Sequence, residues 1–113
     1  MVSLSLFLIG DSWNGQCVKD SEEKRIFETE ENVGAENNIE DCKESCHKKG
    51  FPYMGLQATT WCHCGMNPPP PSSKVPDDDC SHLCPGNHHQ KCGGAWRMNI
   101  HTTYQGLYNI FEN

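Results

Sequence analysis

The chain is poor in apolar residues: 35% of its 113 residues are hydrophobic, against roughly 45–50% in an average globular protein. A core of that size rarely offsets the conformational entropy lost on folding. No stretch approaches the roughly 20 apolar residues that a membrane helix needs. An excess of basic residues is also missing, because the net charge is −6. The sequence therefore predicts one small domain with no membrane span and no nucleic-acid partner.

Paired CxxC motifs are absent as well, although the chain has eight cysteines and six histidines. Structural zinc sites most often use such pairs. The close cysteine pairs here are Cys42/Cys46, Cys62/Cys64 and Cys80/Cys84. We therefore expect four disulfides rather than a metal site, no cofactor, and a secreted or extracellular protein.

Catalytic motifs are the third absence. The sequence contains no nucleophile motif and no His-Glu pair at zincin spacing. The run Asp77-Asp78-Asp79 beside Cys80 is interpreted as a solvated turn rather than a calcium or acid–base site. Since oxidised cysteines supply no thiol nucleophile, the sequence predicts that the chain is not an enzyme.

A single main helix is predicted near the middle of the chain, over residues 39–49. Asn38 is a suitable N-cap, Glu40 and Asp41 suit the first turn, and Gly50 is a natural stop. The polar stretch before it, residues 20–38, predicts a loop with one short strand at residues 25–27. Residues 13–100 form the predicted domain, with an N-terminal extension at 1–12 and a tail at 101–113. The apolar residues 2–9 fit either a leader remnant or an edge strand.

A β-hairpin follows the helix. Residues 53–57 and 61–65 are its strands, and Ala58-Thr59-Thr60 forms a three-residue loop. That loop length pairs Gln57 with Trp61 and Leu56 with Cys62. A stiff proline-rich loop, a turn-rich segment at 80–92 and a last strand at 95–100 complete the pattern.

The cysteine spacings indicate how helix and hairpin are joined. Positions i and i+4 of a helix share one face about 6 Å apart. Positions i and i+2 of a strand share one face about 6.6 Å apart. Cys42 and Cys46 on the helix can therefore meet Cys62 and Cys64 on the strand in two parallel disulfides.

This arrangement turns the alternate residues of the hairpin outward. An outward face with aromatic, amide and imidazole groups is suited to stacking on sugar rings and bonding their hydroxyls. The predicted ligand-binding residues are Tyr53, Gln57, Trp61 and His63, with Arg97 and Asn99 as neighbours. An alternative is that another hairpin or the C-terminal tail covers this face. In the last strand, Trp96, Met98 and Ile100 are expected to face the core, with Trp96 as an anchor.

The motifs around the cysteines form a pattern. They are Trp13-Asn14-Gly15-Gln16-Cys17-Val18-Lys19-Asp20, Gly55-Leu56-Gln57, Cys62-His63-Cys64-Gly65, Val75-Pro76, Asp79-Cys80, Cys84-Pro85-Gly86-Asn87, Lys91-Cys92-Gly93-Gly94 and Trp96-Arg97. Over residues 13–100 this pattern resembles a known family, the WSC domain. Two residues depart from the family pattern. Gln16 is inserted before Cys17, which predicts a bulge in the first strand. His63 replaces the usual Tyr or Phe between the paired cysteines.

The resemblance implies an α+β fold similar to PAN/apple domains, with one helix packed on a curved antiparallel sheet. It also implies the disulfides Cys17–Cys80, Cys42–Cys62, Cys46–Cys64 and Cys84–Cys92. The family's usual assigned role is carbohydrate binding, so the expected partner is a polysaccharide or a glycoprotein glycan. The alternative is a non-catalytic interaction or structural subunit of an extracellular complex or matrix. A secreted defence peptide is a third interpretation, disfavoured because such peptides are usually shorter and basic.

Overall fold

A computed structural model describes residues 12–104 of the chain. The apolar segment at residues 2–9 and the tail aromatics Tyr108 and Phe111 lie outside the described residues. The division of the chain at residues 12 and 100 stays a prediction.

The helix, α1, spans Ile39–Lys48 and confirms the predicted one to within a residue. The side chain of Asn38 accepts a hydrogen bond from the backbone N of Asp41 at 2.9 Å. Gly50 ends the helix with a φ of +88°, a conformation that glycine adopts without a steric penalty. The capping signals in the sequence therefore act as expected.

Residues 12–104 also form seven strands. They are β1 (Asn14–Lys19), β2 (Thr29–Asn32), β3 (Tyr53–Gln57), β4 (Trp61–Gly65), β5 (Leu83–Cys84), β6 (Asn87–Lys91) and β7 (Arg97–Thr102). Five form an antiparallel sheet in the order β1-β7-β3-β4-β2, and β5 pairs with β6. Short 3-10 helices lie at Gly34–Glu36, Pro71–Ser73 and Asp77–Asp79. One helix on an antiparallel sheet confirms the predicted α+β class.

The central hairpin has the predicted register. Gln57 lies opposite Trp61, Leu56 opposite Cys62, and the remaining pairs follow to the end of both strands. Ala58 and Thr59 turn the chain with φ values of +50° and +74°. The loop length predicted this register, and the cysteines facing the helix determined which face each hairpin side chain takes.

The predicted bulge in β1 is confirmed. Asn14 pairs with His101 and Gln16 pairs with Ile100, so Gly15 is the extra residue, with a φ of +98°. The Gly15 carbonyl accepts a hydrogen bond from the side chain of Asn99 at 2.9 Å. The bulge thus accommodates the inserted residue, and Cys17 still pairs with Asn99 of β7.

Two predicted strands are displaced. Residues 25–27 are not a strand, because the carboxylate of Asp20 binds the backbone N of Ile26 at 2.8 Å and bends the chain. The strand starts instead at Thr29. The last strand begins at Arg97, because Gly94 and Arg97 exchange two backbone hydrogen bonds across a tight turn.

The four disulfides confirm the pairing implied by the resemblance. They are Cys17–Cys80, Cys42–Cys62, Cys46–Cys64 and Cys84–Cys92. No cysteine is free among the described residues, which include all eight. Sulfur atoms of three cysteines lie within 4.8 Å of one another. This proximity results from two adjacent disulfides, and oxidised sulfur atoms are not thiolate ligands.

Each face of the five-stranded sheet carries an apolar cluster. The face toward α1, here the helix face, holds the cystines together with Met54 and Leu56. The opposite face carries a second cluster of Val18, Phe27, Tyr53, Met98 and Ile100. Within residues 12–104, α1 is too short and too polar to cross a bilayer, and so is every other helix.

Candidate functional site

The hairpin face opposite the helix is only partly open. Tyr53 and His63 were expected to be exposed, but their exposed fractions are 5% and 1%. The chain between β1 and β2 crosses this part of the sheet, and the ring of Phe27 lies directly on Gly65. Among the described residues the cover is therefore the loop between β1 and β2; residues 105–113 of the C-terminal tail, the other cover considered, lie outside the described residues.

The other end of the same face is a groove, with a volume of about 370 Å³. Its size falls in the range of about 300–1,000 Å³ that is typical of small-ligand pockets. It is lined by Arg25, Glu30, Gln57, Trp61, His63 and Trp96, with Ala58 and Ala95. Three of the predicted site residues, Gln57, Trp61 and His63, are brought together here, and Tyr53 is not among the lining residues.

Trp96 does not anchor the core as expected. It is 44% exposed and lines the groove, whereas Met98 and Ile100 are buried as predicted. The reason lies in the backbone, because Trp96 precedes β7 and has a φ of +54°. A residue outside the strand does not follow its alternation, and the left-handed conformation turns the indole away from the core.

An ionic network supports one wall of the groove. Arg25 Nε lies 3.1 Å from Asp20 Oδ2, and Arg25 Nη2 lies 2.7 Å from Glu30 Oε1. The guanidinium carbon sits 5.6 Å from the centre of the Trp96 ring. The backbone N of Asp20 also donates to the Trp96 carbonyl at 3.0 Å. The buried Asp20 thus positions both the arginine and the tryptophan.

The floor of the groove holds polar atoms without partners. Among the described residues, three buried side-chain polar atoms lack a hydrogen bond, and two of these, Gln57 Oε1 and His63 Nδ1, belong to groove residues. Gln57 is 7% exposed. A buried polar atom without a partner costs about 1–3 kcal/mol, and native structures contain few. Both side chains line the same groove, so the incomplete hydrogen bonding on this face is concentrated there.

His63 is uncharged at neutral pH. Burial lowers the pKa of its imidazole, and the nearby Arg25 acts in the same direction, while Asp20 and Glu30 oppose the shift. The contact of 3.9 Å between His63 Nε2 and Glu30 is therefore not an ion pair at that pH. The imidazole offers the groove a neutral hydrogen-bonding group.

Arg97 and Asn99 do not reach the groove. The register places Leu56 opposite Asn99, so both residues lie on the helix face, and Asn99 is 5% exposed rather than outward. Its side chain accepts from the Gly93 backbone N at 2.7 Å and donates to Gly15. Arg97 is paired with Asp79 at 3.1 Å. Their contacts hold the fold together, and their proposed contact with a ligand receives no support from this geometry.

Sequence reasoning missed Arg25, Glu30 and Trp96 as groove residues. Glu30 had a usable signal, because it lies opposite His63 once β2 is placed beside β4. Trp96 had no usable signal, because it is held by a hydrogen bond from Asp20, which is distant in the sequence. Arg25 had none either, because its position depends on the bend that Asp20 imposes on the loop before β2.

The comparisons with known proteins agree with this architecture. The family model of the WSC domain matches residues 14–94. Xylosyltransferase oxt of Drosophila melanogaster is 39% identical over 88 residues, which is 77% of this chain and 10% of that protein. A WSC domain-containing protein of Arthroderma benhamiae is 33% identical over 86 residues, 76% of this chain and 12% of that protein. Kremen protein 1 of Xenopus laevis is 34% identical over 61 residues, 53% of this chain and 14% of that protein.

The chain thus spans between a tenth and a seventh of the length of these relatives. The similarity concerns one domain within larger proteins of different names. All eight cysteines form the disulfides that the family pattern implies, and the family model extends over most of the described residues. The chain belongs to the WSC domain family.

Proposed function

We propose that this chain is a non-catalytic carbohydrate-binding module and that the groove between Trp61 and Trp96 holds the sugar. The observation that carries the proposal is the combination of two indole rings with the unpartnered atoms of Gln57 and His63. Indole faces pack on the apolar faces of sugar rings, and the polar atoms on the floor pair with hydroxyl groups. The family's usual role points in the same direction.

The location we propose is extracellular. Four disulfides in a domain of this size support an oxidising compartment, because cytosolic thiols are kept reduced. Xylosyl transfer is named for the relatives of Drosophila, of which this chain covers 10%. We assign that chemistry to other parts of those proteins and a binding role to the segment shared with this chain.

The test is binding to a glycan array by the oxidised chain and its variants. Trp61→Ala and Trp96→Ala should each lower the signal on bound glycans at least about tenfold, because each removes an aromatic face. Tyr104→Ala is the matched control, since Tyr104 is an exposed aromatic that contacts His47 of α1 and does not line the groove. Unchanged glycan binding by both tryptophan variants would place the site elsewhere.

A protein partner is the second candidate, because Trp and Arg are also the residues that dominate protein interfaces. The groove contains two tryptophans and one arginine. On this alternative the chain is an interaction or structural subunit of an extracellular complex or matrix. Affinity capture from the native secretion distinguishes the two. A stoichiometric protein that is lost with Trp96→Ala, together with a blank glycan array, would favour the alternative.

A further inference from the structure

The charges of the groove are few and closely paired. Arg25 and Glu30 are the charged residues among its described lining, and the buried carboxylate of Asp20 lies directly behind them. One guanidinium therefore faces two carboxylates, and the group as a whole has an excess of negative charge. The chain adds to this excess, because its net charge is −6.

Arg25 is already engaged by two carboxylates. Its Nε and Nη2 groups already donate to Asp20 and Glu30, and Glu30 has the largest part in raising the pKa of the guanidinium. An incoming carboxylate or sulfate would have to displace Glu30 or sit beside it. The negative charge of such a ligand would then lie close to the carboxylate of Glu30, and the two would repel strongly where water is partly excluded.

The groups that remain for a ligand are neutral. Gln57 offers an amide and His63 an uncharged imidazole, and neither has its full set of partners. Neutral amides and imidazoles pair well with hydroxyl groups. They do not compensate the desolvation of an anion.

We propose that the groove selects uncharged sugar units and rejects units that carry carboxylate or sulfate, with Glu30 as the residue that excludes them. The inference rests on the proposed carbohydrate-binding function, which it narrows to a ligand class. Glu30 acts here as a specificity-determining residue, because its carboxylate both occupies Arg25 and repels anions.

Affinity gel electrophoresis of the oxidised chain tests the proposal. Laminarin, mannan and soluble chitin oligosaccharides are the neutral probes, and alginate, polygalacturonate and heparin are the acidic ones. We expect retardation by at least one neutral probe. Any acidic probe should bind at least about tenfold more weakly at low salt, where repulsion is least screened.

The matched variants Glu30→Gln and Glu31→Gln test whether the carboxylate of Glu30, rather than the net charge of the chain, excludes anionic sugars. Both residues lie on β2, but Glu31 is opposite Cys62 on the helix face and pairs with Lys49 at 3.6 Å. Glu30→Gln should free Arg25 and narrow the ratio of neutral to acidic affinity by about tenfold. Glu31→Gln removes the same charge from the chain and should leave that ratio within about twofold, because its carboxylate is not in the groove.

The outcomes distinguish a failure of the charge selection from a failure of the proposed carbohydrate binding. Acidic probes that bind the parent as tightly as neutral ones, with binding lost in Trp61→Ala, would overturn the charge selection and leave the carbohydrate site standing. An equal effect of Glu30→Gln and Glu31→Gln would also overturn it, because net charge would then be the cause. Binding of no glycan at all would overturn the proposed function itself. The ratio measured on the parent tests the selection even if Glu30→Gln fails to fold.

Discussion

The two faces of the five-stranded sheet are held by different forces. On the helix face, two disulfides fix α1 to β4, and a third cystine joins the same cluster. Among the described residues, the opposite face carries no disulfide in its cluster. The groove on that face is lined by an ionic network and by Ala58 and Trp96, which both have left-handed backbones. It also contains polar side chains with unpartnered atoms.

The two faces therefore differ in what they contribute to the domain. On the helix face the disulfides pack with Met54 and Leu56 into a closed apolar cluster. Strained backbone and unpaired polar atoms are usually tolerated only where the rest of the structure compensates for them, which is why they concentrate at functional sites. The cross-linked helix face thus stabilises a domain whose opposite face carries the strained backbone and the unpartnered polar atoms of the groove.

Removing a disulfide of the helix face should have the largest effect on stability. Cys46 and Cys64 are 18 residues apart in sequence, and the loss of a bridge closing a loop of that length costs about 3 kcal/mol. We expect the double variant Cys46→Ala/Cys64→Ala to lower the free energy of unfolding by that amount in urea titrations. The double alanine change avoids an unpaired thiol.

The shorter Cys84–Cys92 disulfide is the control for this comparison. Its two cysteines are 8 residues apart. The chain-entropy argument therefore predicts that its removal costs about 0.7 kcal/mol less than removal of Cys46–Cys64. A loss below about 1 kcal/mol for the Cys46/Cys64 variant would show that packing, not cross-linking, holds the helix face.

Acid should destabilise the helix face through His101. Burial is the main reason that the pKa of this imidazole falls to about 4, with Lys43 acting in the same direction and Glu40 opposing it. The unfolded chain, with a histidine pKa of about 6.5, binds a proton at higher pH than the native chain. Stability from His101 is therefore complete above pH 6.5 and falls as the pH drops toward 4, by up to about 3 kcal/mol.

Urea titrations at pH 7 and pH 4.5 measure this loss. His101→Gln should show a smaller difference between the two pH values than the parent, because it removes the buried titrating group. His88→Gln is the control, since His88 is exposed on β6. Parent-like pH dependence in His101→Gln would assign the acid sensitivity to other groups.

Packing on the groove face can be tested at Gly65. An added Cβ there would overlap the ring of Phe27, and overpacking of this kind costs about 1–3 kcal/mol. We expect Gly65→Ala to lower the midpoint of thermal unfolding accordingly. In a double-mutant cycle with Phe27→Leu, the smaller side chain should relieve the overlap, so that the two changes cost less together than their sum. Additive losses would mean that the ring does not rest on Gly65.

The sequence was most informative where contacts are local. Asn38 and Gly50 defined the helix because capping depends on neighbours three or four residues away. The three-residue loop fixed the hairpin register for the same reason. The resemblance then supplied the long-range pairing of Cys17 with Cys80, which spacing alone does not determine.

The groove was less predictable because distant residues shape it. Trp61 was placed on the correct face, but the predicted last strand began two residues before β7, so its alternation was applied to Trp96, which was assigned to the core. Its left-handed backbone and its bond to Asp20 are tertiary features with no local signature. Burial of His63 depends in the same way on the path of the loop that precedes β2.

The smallest expected effect concerns the backbone conformation of Trp96. Its φ of +54° is costly for any residue with a Cβ. Trp96→Gly should therefore be more stable than Trp96→Ala by about 0.5–1 kcal/mol, against the usual order in which Gly is the less stable. Urea titration of both variants measures the difference. Both lack the indole, so both should also lose glycan binding.

Ala95 is the matched control, because it lies beside Trp96 in the same turn and does not have a positive φ. Ala95→Gly should lower stability by about 0.4–1 kcal/mol, as glycine normally does by adding freedom to the unfolded chain. Opposite signs at two adjacent positions would show that the strain is confined to the residue that presents its indole to the groove. If Trp96→Ala matched or exceeded Trp96→Gly in stability, the left-handed conformation would carry no cost, and the groove face would owe its shape to side-chain contacts alone.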